Sequence, residues 1–150
     1  ALTKGRKAPV VITPHPGEMS RLLATSIDQV QKDRLATALA YAVEQQVWLV
    51  LKGAATVIAS PQGEAWINPT GNAALASGGS GDLLAGLLGG FLAQGWPVAT
   101  AVRAAVWLHG AAADRAVAKS GPVGVTASGL LKHLRWWLNH PPFVLTGKRP

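Results

Sequence analysis

Cysteine is absent from this chain, and acidic residues are scarce, seven against fourteen lysines and arginines. The first absence excludes disulfides, thiolate nucleophiles and cysteine-bound metal, and it suits a reducing, cytoplasmic setting. The second leaves a net charge of +7 and no carboxylate pair that marks a metal site. Long hydrophobic runs are lacking too. The longest, Leu83 to Ala93, falls short of a bilayer span and ends at Gln94, Gly95 and Pro97. Residues 1–10 hold no apolar core of a signal peptide, so no membrane partner is expected. Nor is a nucleic acid. The basic residues are scattered, the densest cluster is Lys4 to Lys7, and aromatics do not alternate with them. The positive balance points instead to small phosphorylated molecules.

What is present is an apolar chain of one domain's length, 1–150, with 49% hydrophobic and 14% charged residues, which places it among folded proteins. No repeat or linker divides it. Pro9 to Thr13 reads as a buried strand, followed by Thr13-Pro14-His15-Pro16-Gly17-Glu18, whose two prolines and glycine force a rigid, extended turn. His15 is thereby displayed at the carboxyl end of a strand, where α/β sheets collect ligands. A short helix is expected over Glu18 to Ala24 and a longer one over Ser26 to Gln46, with Leu35, Leu39, Ala42 and Val43 as its apolar stripe. Val47 to Lys52 is nearly all apolar and reads as a central strand. Val57 to Ser60 and Ala65 to Ile67 pair as a hairpin across Pro61-Gln62-Gly63-Glu64. Lys52 admits two readings, a phosphate partner or a strand-end charge; Gly53 and Thr56 beside it favour the ligand.

The stretch from Asn68 to Gly95 organises the rest. Ser77-Gly78-Gly79-Ser80-Gly81-Asp82 runs into an apolar helical pattern, Leu83 to Gln94. A glycine loop opening a helix leaves N–H groups converging at the positive end of the helix dipole, a place for a phosphate or a developing oxyanion. Asp82 on its lip is placed to take a proton from an attacking hydroxyl. The plainer reading is a flexible loop closed by a helix-initiating acid. The small face formed by Ala85, Gly86, Gly89 and Gly90 allows close packing and favours the functional reading. Two more helices follow, Ala99 to Lys119 and Thr126 to Leu138, the latter capped by Thr126 or Ser128. His109, on the same Ala-rich helix as Asp114, reads as a satisfied core residue. Trp136 and Trp137 read as packing against the body, and His140 to Pro150 as a tail.

Thr13-Pro14-His15-Pro16-Gly17-Glu18, Leu51-Lys52-Gly53-Ala54-Ala55-Thr56 and Gly71-Asn72 through Gly78-Gly79-Ser80-Gly81-Asp82, in that order and spacing, resemble the ADP/ATP-dependent NAD(P)H-hydrate dehydratases of the ribokinase-like superfamily. The resemblance covers roughly residues 9 to 138. It implies a three-layer α-β-α ribokinase-like fold and a repair enzyme, which restores hydrated NADH or NADPH to the working cofactor at the expense of ADP or ATP, with Mg2+ on the nucleotide phosphates. By the same resemblance, Lys52, Gly53, Ala54, Ala55, Thr56, Asn72, Ser77, Gly78, Gly79, Ser80 and Gly81 would hold the nucleotide. Pro14, His15, Pro16, Gly17 and Glu18, with Asp82, would contact the hydrated cofactor, and Asp82 would activate its hydroxyl for phosphoryl transfer. Ala74, Leu75 and Ser77 stand where the family commonly carries a Gly-Met pair and a Thr. The chain resembles the carboxyl-terminal half of such a domain, and a half-sheet implies self-association or association with an amino-terminal half. Two other readings share the same cradle: a ribokinase-like kinase of a small alcohol, and a nucleotide-binding half-domain without turnover.

Overall fold

Residues 47–51 are buried without interruption, as expected of a strand covered on both faces. This is the spine of the first of two compact units, which divide between Asn68 and Pro69. The computed structural model describes residues 5–140. In the first unit four strands lie in the order β1 (Val11–Ile12), β2 (Trp48–Leu51), β3 (Val57–Ala59), β4 (Ala65–Ile67). β1 runs parallel to β2, with Val11 opposite Trp48, while β2–β3 and β3–β4 are antiparallel. The β3–β4 hairpin is the one read from the turn signal at Pro61 to Glu64. Alternation sorts the side chains. Leu49, Leu51, Val57 and Ala59 join a core with Met19, Val30, Ala38, Tyr41 and Ala42 from the helices. Trp48 and Trp66 stack at 5.9 Å.

Three helices accompany this sheet: α1 (Pro16–Leu22), α2 (Ile27–Lys32) and α3 (Arg34–Gln45). The single helix expected over Ser26 to Gln46 is therefore two. Asp33 leaves the helical region, at φ −149° and ψ 87°. Its carboxylate accepts the Ala36 N–H at 2.9 Å, the local side-chain competition that makes Asp a poor interior helix residue. Half of the expected stripe faces the core, Ala42 within it and Leu39 packed against it. Ala38, Tyr41 and Ala42 are buried, whereas Leu35 and Val43 stand 41% and 43% exposed. The first helix starts two residues earlier than expected, because Pro16 occupies the N-terminal position where its missing N–H costs nothing.

The second unit is helical: a 3₁₀ turn over Ala73–Ala76, then α4 (Ser80–Ala93), α5 (Val98–Ser120) and α6 (Ala127–Asn139). α5 is its hub, packed against the 3₁₀ turn, α4 and α6. Its small side chains, Ala105, Ala111, Ala112, Ala113 and Ala116 among them, are buried around most of the circumference. Trp137 seals the α5–α6 seam by donating its indole N–H to the Ala111 carbonyl at 2.9 Å, and Thr126 caps α6 through the Gly129 N–H. One expectation fails here. A Cβ added at Gly86, Gly89 or Gly90 would meet nothing within 4 Å among the described residues, so that face of α4 makes no close packing with them. No helix among the described residues is long and apolar enough to cross a membrane. Of the expected tail, residues 141–150 lie outside the described residues.

Candidate active site

In the first unit, the Pro-His-Pro-Gly-Glu segment folds back on itself. His15 is the N-cap of α1, and its Nδ1 accepts the N–H groups of Gly17 at 3.0 Å and Glu18 at 3.2 Å. Glu18 reciprocates by accepting the His15 N–H at 2.7 Å, a capping box with imidazole in the place of the usual hydroxyl. Gly17 makes room for the ring, since a Cβ there would come within 3.0 Å of His15 Cε1. With Nδ1 occupied as an acceptor, the ring proton of neutral His15 must sit on Nε2. That edge lies 3.6 Å from one Glu18 oxygen, and Lys52 Nζ lies 3.4 Å from the other. The His15 N–H, and after it the neighbouring Lys52 ammonium, holds the Glu18 carboxyl below its ordinary range. Lys52 is tied to the same segment by its backbone, whose N–H reaches the Pro14 carbonyl at 2.9 Å.

The turn after Lys52 is built on an arginine. Arg34 donates to the carbonyls of Leu51 at 2.9 Å, Lys52 at 3.2 Å, and Ala54. Gly53, at φ +139°, lies against that guanidinium, which would stand 2.9 Å from any Cβ added there. Thr56 closes the turn through Oγ1 to the Gly53 carbonyl at 2.9 Å. Pro14, His15, Glu18 and Lys52 are thus brought together, with Gly53, Ala54, Ala55 and Thr56 as the adjoining turn.

In the second unit the candidate residues follow one another along one segment. Asn72 caps the 3₁₀ turn, its Oδ1 accepting the Ala74 N–H at 3.0 Å. Ser77 ends that turn in an extended conformation, and Gly79 then enters the left-handed region at φ +81° to start α4. Ser80 and Gly81 already belong to the helix, which begins earlier than the apolar pattern indicated. No side chain caps this N-terminus, whereas His15, Ser26, Asp33 and Thr126 cap α1, α2, α3 and α6. First-turn N–H groups without side-chain partners, at the positive end of a fourteen-residue helix, favour an anion. The Ser77 hydroxyl is buried and has no partner among the described residues. Asp82 is exposed and stands at the rim of a groove of about 480 Å³ lined by Leu83 and Leu87 of α4 and Leu131, Leu134 and Leu138 of α6.

His109 is buried, as expected, but it is also tied to the loop: its Nε2 lies 3.3 Å from the Ser80 hydroxyl. Two further residues were given no role by the sequence. Arg34 sits next to a helix break that was not foreseen. Asp114, a lone acid in an alanine-rich stretch, accepts hydrogen bonds from Gly71 and Asn72. Its one sequence signal was an acid on a mostly apolar helix whose other charges, Arg103, Arg115 and Lys119, are basic.

The profile of the NAD(P)H-hydrate dehydratase family matches residues 2–135. The chain is 47% identical over 136 residues to the bifunctional NAD(P)H-hydrate repair enzyme of Moorella thermoacetica, covering 91% of this chain and 26% of that protein. It superposes at a TM-score of 0.87, with 41% identity, on the ADP/ATP-dependent NAD(P)H-hydrate dehydratase from Bacillus subtilis crystallised with ATP and Mg2+. That match covers 90% of this chain and 49% of the other. A ribokinase-like superfamily protein from Enterococcus faecalis matches at 0.74 with 33% identity, over 90% of this chain and 46% of that one. The chain therefore spans about half the length of these solved structures and about a quarter of the Moorella enzyme. The fold is the α/β ribokinase-like one, and the chain belongs to the NAD(P)H-hydrate dehydratase family.

Proposed function

We propose that this chain carries the nucleotide-binding and proton-accepting residues of a cytoplasmic, ADP- or ATP-dependent dehydratase acting on hydrated NADH and NADPH. The observation that carries the reading is the N-terminus of α4: glycine-led, without a side-chain cap, and with Asp82 in its first turn. Backbone N–H groups there suit nucleotide phosphates, and the unpartnered Ser77 hydroxyl adds a donor beside them. Asp82 takes the proton of the hydroxyl on the reduced ring as its oxygen bonds to the terminal phosphorus of the nucleotide. The bond from that phosphorus to the bridging oxygen breaks. Inorganic phosphate then departs with the former hydroxyl oxygen, and the ring regains its double bond with loss of a proton. Positioning and charge stabilisation dominate such a transfer, so little covalent work falls to the protein. Pro14, His15, Pro16, Gly17 and Glu18 are assigned to the hydrated cofactor; Lys52 to Thr56, Asn72 and Ser77 to Gly81 are assigned to the nucleotide.

Among the described residues no group of three or more histidines and carboxylates could hold a metal. Magnesium is assigned to the nucleotide phosphates, in line with the Bacillus subtilis dehydratase crystallised with ATP and Mg2+. The whole chain is proposed as one, incomplete, ribokinase-like domain whose further surface is supplied by self-association or by an amino-terminal half. The test is recovery of reduced-nicotinamide absorbance from hydrated NADH with ADP or ATP and Mg2+, alongside calorimetric titration of the nucleotide. Asp82→Asn should keep nucleotide affinity within about twofold while lowering turnover at least about a hundredfold, the scale of a lost general base. A variant as active as the parent would remove Asp82 from the chemistry. Accumulation of a phosphorylated alcohol in place of phosphate would move the chain to the kinases, and nucleotide binding without turnover would leave a binding half-domain.

A further inference from the structure

Asp114 belongs to none of the sequence motifs, yet the segment leading to the glycine loop hangs on it. Oδ2 accepts the Gly71 N–H at 2.9 Å, and Oδ1 accepts a hydrogen from Asn72 Nδ2 at 2.8 Å. The other end of the Asn72 amide accepts the Ala74 N–H and so starts the 3₁₀ turn that delivers the chain to Ser77. One turn earlier on α5, Gly110 lets the segment lie directly on the helix, for a Cβ there would fall 2.2 Å from Thr70 Oγ1 and 2.6 Å from its carbonyl carbon. Thr70 in turn donates its hydroxyl to the Trp107 carbonyl at 2.9 Å. Residues 107, 110 and 114 are spaced to share one face of α5, and Asp114 ends the row. Further along the same segment His109 meets Ser80. The loop is therefore held before its first glycine and again after its last left-handed one.

We infer that Asp114 is a positioning residue for nucleotide binding: by orienting Asn72 it sets the path of Ser77 to Gly81 into α4, and with it the N–H donors and Asp82. The inference rests on the nucleotide reading above. It also changes what Asn72 does. An amide whose oxygen and one hydrogen are committed within the protein acts on the ligand chiefly through the loop it shapes.

The geometry permits an exchange of partners as a test. In Asp114→Asn the amide at position 114 can still accept the Gly71 N–H, but its NH2 confronts the NH2 of Asn72. Affinity for Mg2+-ADP should fall about tenfold, the scale of one hydrogen bond to a charged group. Asn72→Asp sets two carboxylates against each other and should weaken binding at least as much. In the double variant the carboxylate at position 72 accepts from Ala74 and from the amide at 114, whose oxygen accepts from Gly71. All three bonds return, and affinity should recover to within about twofold of the parent. Calorimetry on the full chain gives the affinities, and amide exchange at Gly71, Ala74 and Ser77 to Gly81 reports the brace. Full affinity in either single variant would overturn the inference. So would a double variant whose exchange protection returns while its affinity does not. If the unmodified chain fails to bind Mg2+-ADP, the nucleotide reading falls; the brace itself stands or falls by whether Asp114→Asn speeds exchange along the segment.

Discussion

A histidine that caps a helix through Nδ1 is committed to one tautomer, and at His15 that commitment presents Nε2 toward Glu18. Nδ1 accepts two N–H groups of the first turn, so the ring itself is part of the helix cap. Removing the cap in His15→Ala should cost about 1 kcal/mol, with His15→Asn losing less, because asparagine can still accept. Glu18 makes the argument testable against pH. Its folded-state value lies below the ordinary 4.5, chiefly through the His15 N–H and then through Lys52. A depressed carboxylate adds stability that is present above its unfolded value and lost as pH falls through the lower folded one. Urea midpoints of the parent and Glu18→Gln should therefore differ at pH 7 and converge on acidification below about 4.5. A gap that persisted unchanged into strong acid would show that the pair does not act through charge. The display of His15 was legible from the flanking prolines. The direction of its ring was not, since that depends on N–H groups freed only when Pro16 starts a helix.

Glycine in a helix is one sequence signal with two opposite physical meanings, and the two elements α4 and α5 carry one each. The run Gly86, Gly89, Gly90 invited a close-packing reading, yet a Cβ at each meets nothing within 4 Å among the described residues. Gly110 drew no attention in the sequence, and a Cβ there would overlap the Thr70 backbone. Periodicity identifies a helix and its apolar side; it does not reveal which glycine a neighbouring segment lies across. The same limit explains the split of the Ser26–Gln46 helix, whose apolar stripe began only at Leu35, after an Asp33 that caps α3. Gly89→Ala should stabilise the chain by about 0.5–1 kcal/mol, the usual gain from removing a mid-helix glycine. Gly110→Ala should destabilise it by about 1–3 kcal/mol, as overpacking does, and should also free the Thr70–Asn72 segment. Denaturant titration of both variants decides the point. A neutral Gly110→Ala would mean that the segment can lift away from α5 without loss.

Across the whole molecule, what the sequence made legible was contiguous. The Pro-His-Pro-Gly-Glu turn, the Lys-Gly-Ala-Ala-Thr turn and the glycine loop each lie within a few residues, and each forms where local chemistry put it. What stayed hidden were the supports reaching across the chain: Arg34 to carbonyls 17 to 20 residues away, and Asp114 to partners 42 and 43 residues away. Charge is the other whole-molecule property, and it separates a local site from a diffuse field. The net +7 comes from scattered residues, which attract any polyanion at low salt and are screened within about 8 Å at physiological ionic strength. Donors fixed on the backbone at the start of α4 would be screened less than exposed side-chain charges, because a phosphate held there would be in direct contact with them. Mg2+-ADP affinity should therefore fall less than about tenfold as salt rises from about 50 to 200 mM, while any retention on duplex DNA is lost over that range. Parallel losses would place the nucleotide's affinity in the scattered lysines and arginines, and the glycine loop would then be a connection and nothing more.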